Sequence, residues 1–241
     1  AVAWLWFNRE PAPPAWDRPL KVVVYPENAD GSAEVDAYID ALARDRFEQV
    51  ETWFADQARN HGLELEKSFE LVLAEPVQQA PGAPDYGSLF SYLRWALQLR
   101  FWYWTFDDQG LEPDITVVAR YRTIEWDRRL HSLGIDSMNL AIANLQADPD
   151  RQGLNNVLLA HEILHTVGAS DKYDRATGLP RYPEGYADPD RQPRYPQSAA
   201  EIMAGKIPAV PGKAVQAEAL SETVIGTRTA SEVGWLNPVA G

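Results

Sequence analysis

The segment His161–Val167 constrains the chain more than any other, because His161 and His165 stand four residues apart in a mostly apolar run. In a helix this spacing puts both imidazoles on one face, about one turn apart, where they can bind one zinc ion. Glu162 follows the first histidine directly, so its carboxylate can reach a water molecule on the metal without becoming a ligand. The alternative is a helix with polar residues on a solvated face, but the apolar neighbours direct this helix toward a core: Ile163, Leu164 and Val167.

Gly168 stands three residues after the second histidine and predicts the end of this helix. Glycine adopts the left-handed conformation of a helix C-terminus without steric cost, and the chain can then turn sharply. A residue three positions further on can swing back to the metal, and that residue is Asp171. Its carboxylate would complete a three-ligand zinc site with an open position for water. A simple helix C-cap would explain Gly168 alone. The presence of Asp171, a residue that can bind zinc, three positions further on favours the metal site.

The residues His161–Asp171 resemble the extended motif H-E-x-x-H-x-x-G-x-x-H of the metzincin peptidases, with aspartate in place of the third histidine. Aspartate in that position is similar to the snapalysin-like metzincins, and Asp171–Asp174 is also similar to the immune-inhibitor-A-like peptidases. Metzincins further carry a methionine turn beneath the zinc. Glu201–Gly205, which contains Met203, resembles the snapalysin form of that turn.

The resemblance implies a zinc-dependent endopeptidase in which Glu162 is the general base and zinc is bound by His161, His165 and Asp171. The matching residues run from 161 to 205, and the preceding order of elements is compatible but unspecific. Two other functions stay open, which are a catalytically silent zinc-binding scaffold for a protein partner and a zinc hydrolase of a non-peptide substrate. Glu162 argues against the scaffold, because a scaffold needs the ligands but not the base.

The chain departs from the metzincin pattern after Asp171. Gly205 stands where some metzincins have a tyrosine near the metal, two residues after the methionine. Tyr173 is a candidate for that role, because its phenol could stabilise a developing oxyanion; the alternative is a tyrosine packed in the turn. The linker to Met203 is long, and Glu184 within it is the competing third ligand, since other HExxH peptidases use a downstream glutamate. We expect Asp171 to be the ligand.

The same linker is the place where a second metal would bind. Zinc is the expected cofactor, and calcium is a second option because four carboxylates lie in this loop, although a solvated acidic loop also explains them: Asp174, Glu184, Asp188 and Asp190.

Hydrophobic periodicity predicts an α/β (α+β) fold, which the resemblance specifies as metzincin-like, with long helices, including the active-site helix, packed on a twisted mixed sheet. A smaller irregular C-terminal part should follow. Strands are expected over 21–25, 63–74, 114–121 and 137–145, and helices over 33–60, 88–106, 154–167 and 229–235. The strand over 137–145 is expected at the sheet edge, where it would pair with an extended substrate. The aromatic helix over 88–106 is expected to pack on the sheet; a membrane-facing surface or a ligand box is the alternative.

We expect one catalytic domain over 20–241, divided into an upper part (20–168) and a lower part (169–241). Residues 1–19 begin with an apolar stretch containing Trp4 and Trp6 and continue into a proline-rich segment. They resemble the outer end of a membrane anchor or signal followed by a stiff spacer, although a short tail packed on the domain is equally compatible. An extracytoplasmic location, whether periplasmic, secreted or membrane-anchored, is expected on this basis.

The amino-acid composition restricts the kinds of partner that the chain is expected to bind. A formal net charge of −13 argues against nucleic acid and against electrostatic binding to anionic lipid. The absence of cysteine excludes disulfides, thiolate catalysis and cysteine-based zinc sites. The expected partner is a protein or peptide substrate, and the expected assembly is a monomer.

Overall fold

The computed structural model describes residues 13–77, 80–82, 89–123, 133–135 and 138–236. Within these ranges the strands are β1 (Leu20–Asn28), β2 (Phe69–Leu73), β3 (Ile115–Arg122), β4 (Leu133–Ile135), β5 (Leu140–Gln146), β6 (Ala200–Glu201), β7 (Lys206–Val210), β8 (Lys213–Gln216) and β9 (Thr223–Val224). The α-helices are α1 (Ala33–Asp40), α2 (Glu48–Asn60), α3 (Leu89–Trp104), α4 (Gln152–Thr166) and α5 (Thr227–Glu232).

The main sheet has the strand order β2-β1-β3-β5-β4 in the described part of the chain. Strands β2, β1, β3 and β5 are parallel, and β4 runs antiparallel to β5. Central parallel strands are buried on both faces, which explains the uninterrupted apolar run Val22–Tyr25 in β1. The expected α/β fold, with a mixed sheet and long helices that include the helix of His161, is confirmed.

The two faces of the sheet pack against different helices. Val22 and Val24 of β1 belong to the main core, which also contains residues of α1, α2 and α4. Val118 of β3 lies on the other face, where it packs with Trp95 and Leu99 of α3. The sheet therefore separates the helix of His161 from the aromatic helix.

The edge strand differs from the sequence expectation. A strand does form near 137–145, but β5 lies between β3 and β4, so it is an inner strand. Leu140–Leu145 is buried throughout, as expected for a strand covered on both faces. In the described part of the chain, the edge on this side of the sheet is β4, and its three residues Leu133–Ile135 are too few to give a strand signal in the sequence.

The helix predicted over 33–60 is interrupted. Ser32 caps α1, where its hydroxyl accepts a hydrogen bond from the Val35 amide at 3.3 Å. The helix ends at Asp40, and a short 3-10 turn over Arg44–Phe47 redirects the chain into α2. The apolar periodicity continues through this interruption because both helices present the same kind of face to the sheet.

The chain after α4 is irregular, with two small two-stranded pairings, β6 with β9 and β7 with β8. The proline-rich segment that precedes β1 packs against this part, because the Trp16 indole donates a hydrogen bond to the Val233 carbonyl at 2.7 Å. The membrane-anchor expectation for residues 1–12 falls outside the described residues. Within the described ranges, no helix combines the length and apolarity that a bilayer crossing requires.

Candidate metal centre

Helix α4 positions the two histidines of the motif. Ile163 and Leu164 are fully buried in the main core, which fixes the rotation of the helix. His161 and His165 then lie on the less buried side, where their side chains are 14% and 18% exposed. The pairing predicted from the four-residue spacing is thus present, with the ring centroids 4.7 Å apart.

Gly168 ends the helix as its position in the sequence predicts. Its φ of 104° lies in the left-handed region. The Ala169 amide donates to the Leu164 carbonyl at 3.0 Å, and the Gly168 amide donates to the His165 carbonyl at 3.2 Å. This pair of bonds is a Schellman motif, which reverses the chain direction directly after the second histidine. The reversal brings Asp171 back over the open side of α4.

Three potential ligand atoms meet at this point. His161 Nε2 and His165 Nε2 lie 3.0 Å apart, and Asp171 Oδ1 lies 3.4 Å from the first and 3.2 Å from the second. Tetrahedral zinc with bonds of about 2.0–2.1 Å separates its ligand atoms by roughly 3.3 Å. The three atoms therefore have the spacing of one face of such a tetrahedron, and together they form a group that can hold a metal ion.

The opposite nitrogen of each imidazole is occupied by the backbone. His161 Nδ1 donates to the Ile202 carbonyl at 3.0 Å, and His165 Nδ1 donates to the Ala169 carbonyl at 2.8 Å. A carbonyl oxygen can only accept, so both Nδ1 atoms carry the hydrogen and both neutral Nε2 atoms present a lone pair. Two lone pairs and a carboxylate oxygen within 3.4 Å of one another repel unless a positive charge, either a metal ion or a proton, lies among them. Backbone partners of this kind are typical of metal-binding histidines.

The electrostatics of the metal-free site agree with that requirement. Burial alone would lower the pKa of His161, but the contact with Asp171 and the charge of Glu162 outweigh it and raise the pKa to about 9. Burial alone would raise the pKa of Asp171, but hydrogen bonding to His161 and His165 holds it well below its usual range. The cluster thus strongly attracts a positive charge. A proton binds between these residues when no metal ion does.

Glu162 lies beside the cluster without joining it. The residue is only 4% exposed, and Oε2 has no hydrogen-bond partner among the described residues. Burial raises the pKa of Glu162, while the charges of His161 and His165 act in the opposite direction. A buried carboxylate atom without a partner is costly unless water or a substrate group meets it, which is the position expected of a general base.

Tyr173 also lies at the centre. Burial raises its pKa to about 12, and its proximity and hydrogen bond to Asp171 act in the same direction. The phenol therefore keeps its proton and stays a hydrogen-bond donor. Its backbone pairs with Pro180 in an isolated antiparallel bridge, which fixes its place beside the metal ligands.

The competing acidic residues of the linker do not reach the histidines. Glu184 is exposed and stands apart from the only potential metal-binding group in the described part of the chain. Asp174 accepts hydrogen bonds from the Ala176 and Thr177 amides at 3.0 and 2.8 Å, which makes it a turn-forming residue. Asp188 and Asp190 likewise belong to no such group, so the loop shows no convergence of carboxylates for calcium in the described residues.

The turn that contains Met203 contacts the candidate metal ligands through its backbone. Met203 is fully buried in the main core, and the turn over Glu201–Gly205 is closed by bonds from the Ala204 and Gly205 amides to the Glu201 carbonyl. The Ile202 carbonyl binds His161, and the Met203 carbonyl accepts from the Lys172 amide at 2.9 Å. The turn thus contacts both the first histidine and the irregular segment that carries Asp171.

Sequence reasoning missed a buried ion pair that secures the ligand loop. Lys172 is 1% exposed, and its ammonium group lies 2.6 Å from Glu232 Oε2. The same ammonium donates to the Ser170 carbonyl at 2.7 Å, and the Ser170 amide donates to Glu232 at 3.0 Å. Residues on both sides of Asp171 are therefore tied to helix α5. Lys172 and Glu232 are 60 residues apart in the sequence, and no local sequence pattern predicts a contact between them.

We expect Asp171→Ala to weaken zinc binding by more than about 100-fold, because outer partners of metal ligands already contribute about 10- to 100-fold. The matched control is Glu184→Ala, which removes an exposed carboxylate of the same linker and should leave the affinity nearly unchanged. Competition with a chromophoric chelator measures both. The reverse order of the two variants would make Glu184 the ligand and overturn the assignment.

Lys172→Met should lower the free energy of unfolding by about 1.5–3 kcal/mol, because it removes the charged hydrogen bonds of a buried ammonium group, while Arg228 still pairs with the partly exposed Glu232 carboxylate. Lys213→Met, at an exposed position, should change it by no more than about 0.5 kcal/mol. Urea denaturation of the metal-free proteins gives both values. Equal stability of the parent and Lys172→Met would mean that the ion pair does not hold the loop.

Comparisons with known proteins do not identify the function of this chain. No family model matches the chain, and no curated protein matches it. Among solved structures, catalytically inactive OgpA from Akkermansia muciniphila in complex with an O-glycopeptide (glycodrosocin) substrate is similar over 95% of this chain, with 10% sequence identity and a TM-score of 0.37. The chain spans 63% of the length of that neighbour. A likeness at this distance carries no statement about activity.

Proposed function

We propose that this chain is a zinc-dependent endopeptidase of the metzincin type, with the aspartate-containing motif of the snapalysin-like or immune-inhibitor-A-like groups. One observation supports this above the others, namely the convergence of His161, His165 and Asp171 on a point that requires a positive charge. The buried Glu162 beside it supports an enzyme over a scaffold, because a scaffold has no use for a buried carboxylate whose Oε2 lacks a hydrogen-bond partner among the described residues.

Zinc is the proposed metal because of the donor set. Two imidazole nitrogens and one carboxylate oxygen form a mixed set that suits zinc, whereas calcium and magnesium prefer oxygen ligands alone. Three protein ligands leave a fourth position free, as in catalytic zinc sites. When bound, zinc acidifies a water molecule and polarises a substrate carbonyl.

Glu162 is proposed as the general base and then the general acid. It accepts a proton from the attacking water, and it passes that proton to the amine that leaves when the peptide bond breaks. Its buried position helps, because burial raises the pKa of the carboxyl group and thereby makes the carboxylate a better proton acceptor.

Tyr173 is proposed as a hydrogen-bond donor to the carbonyl oxygen of the substrate. A phenol with a pKa of about 12 keeps its proton at neutral pH and can stabilise negative charge as it develops on that oxygen. A cavity of about 320 Å³ opens beside this residue, with Arg175 and Arg181 in its wall. The cavity offers room for substrate residues next to the scissile bond.

The remaining expectations stay proposals. We propose an extracytoplasmic location, action as a monomer, and polypeptide substrates rather than nucleic acid. Residues 20–241 are proposed as one catalytic domain.

The proposal is tested by metal reconstitution. The protein is stripped with chelator, zinc or magnesium is added back, and cleavage of a fluorescently labelled denatured protein is followed together with hydrolysis of a small ester. We expect polypeptide cleavage to return with one equivalent of zinc and not with magnesium. Bound zinc without any hydrolysis would point to the scaffold, and ester hydrolysis alone would point to a non-peptide substrate.

A further inference from the structure

The aromatic helix α3 has two apolar sides. Trp95 and Leu99 face the sheet and are buried, as the sequence predicts for a core helix. The opposite side carries five large apolar residues that are 42–81% exposed: Phe90, Leu93, Leu97, Phe101 and Trp104. At about 100° per residue, these five fall within an arc of roughly 80°. They form one continuous stripe, and exposed apolar patches of this kind mark interaction surfaces.

Positive charge borders the stripe on both sides. Arg94 and Arg100 lie about 20° beyond its two margins on the helical wheel, and both are exposed. The helix contains no acidic residue, although the whole chain has a formal net charge of −13. Apolar and aromatic side chains between flanking arginines are typical of helices that lie in the interface of a phospholipid bilayer.

The charges on α3 indicate which kind of partner can bind the exposed stripe. A second copy of this helix would bring four arginines together without any acidic partner on either helix, and like charges at close range are unfavourable. A lipid surface instead offers phosphate groups to the arginines and acyl chains to the apolar stripe. The negative charges elsewhere on the chain oppose this binding only weakly, because salt screens exposed charges that lie more than about 8 Å apart.

We propose that the exposed stripe of α3 lies on the surface of a phospholipid bilayer, with its apolar side chains at the boundary between headgroups and acyl chains. Arg94 and Arg100 bind lipid phosphates on either side of it. The protein would thereby be held on the membrane with α3 parallel to its plane. This proposal is independent of the metal, so it stands or falls separately from the peptidase activity.

The chain contains no cysteine, which permits site-specific labelling at one introduced thiol. Leu97→Cys and the control Val215→Cys, whose parent residues are 70% and 60% exposed, are labelled with an environment-sensitive fluorophore. Vesicles of phosphatidylcholine with a minority of phosphatidylglycerol are then added to the full chain. We expect a blue shift and a marked gain of fluorescence at position 97 only. Binding to the vesicles without a change at position 97 would overturn the proposal.

Substitution of the stripe gives the second measurement. Leu97→Gln/Phe101→Gln/Trp104→Gln should reduce the fraction of protein that floats with vesicles by about tenfold or more, because interfacial binding scales with buried apolar area. Val210→Gln/Val215→Gln, which changes exposed apolar residues elsewhere, should float like the parent. Both variants are expected to fold normally, as checked by circular dichroism, because the replaced side chains are exposed.

Charge reversal separates a lipid from a protein partner. Arg94→Glu/Arg100→Glu should weaken flotation most with phosphatidylglycerol present, whereas Arg59→Glu/Lys213→Glu should not. Sedimentation velocity is measured on the same proteins. A parent dimer that the triple glutamine substitution dissociates, without vesicle binding, would make the stripe an interface between copies and refute the lipid proposal. Absence of both vesicle binding and self-association would refute it as well.

Discussion

Glu162→Gln should lose about two to four orders of magnitude in peptidase activity while it keeps its zinc and its fold. The amide has nearly the shape of the carboxylate, but it cannot accept the proton of the attacking water. Zinc affinity should change little, because Glu162 lies beside the ligand cluster and is not part of it. Thermal stability should not fall, since the substitution removes a buried charge whose Oε2 has no partner among the described residues.

Activity, zinc content and melting temperature of Glu162→Gln are measured on one preparation. The matched control is Glu184→Gln, which makes the same chemical change at an exposed position of the linker. Unchanged activity in Glu162→Gln would remove the general base from the mechanism. Loss of activity together with loss of zinc would show instead that the carboxylate holds the metal site together.

His165→Ala should abolish both zinc retention and activity. The histidine contributes one of three ligand atoms, and its Nε2 lies within 3.2 Å of the other two. The loss in zinc affinity should exceed the factor of about 10–100 that changes in outer partners cause. No rate should remain measurable, because in the proposed mechanism zinc would supply both the acidified water and the polarised carbonyl.

His61→Ala is the control for this variant. His61 also contacts a backbone carbonyl, that of Ile225 at 2.7 Å, but it stands apart from the metal-binding group in the described residues. Zinc per chain is determined after dialysis against a weak chelator, and the fold is followed by circular dichroism. His165→Ala that binds zinc as tightly as the parent would contradict the ligand assignment.

The part of the site that is local in sequence could be predicted from it. The four-residue spacing places His161 beside His165 in any helix, and Gly168 predicts the reversal that returns Asp171. The choice of Asp171 over Glu184 as the residue that joins the histidines followed from the same short-range geometry. The structure places these residues as expected, although their roles remain proposals.

Contacts between distant residues could not be predicted. The carbonyl of Ile202 fixes the tautomer of His161 across 41 residues, and Lys172 finds Glu232 across 60. Neither partner shows a distinctive pattern in the sequence. The sheet edge was misassigned for a related reason, because a strand as short as Leu133–Ile135 acquires its conformation from its neighbour rather than from its own residues.

The aromatic helix shows where periodicity fails. Apolar residues surround α3 so evenly that the sequence favours burial, and the buried side with Trp95 and Leu99 agrees with that expectation. The exposed side with Leu97 and Trp104 does not. Periodicity does not distinguish two apolar sides of one helix, and only the structure shows which side has no partner among the described residues.

The central claim, zinc-dependent peptide hydrolysis with Glu162 as the base, is tested most directly on a denatured proteome. The zinc-loaded parent, the parent with chelator and zinc-loaded Glu162→Gln are incubated with it, and new amino termini are identified by mass spectrometry. We predict new termini that appear with the zinc-loaded parent and are absent from the other two samples. The same termini in the Glu162→Gln sample, or none with a parent that holds one zinc per chain, would contradict the claim.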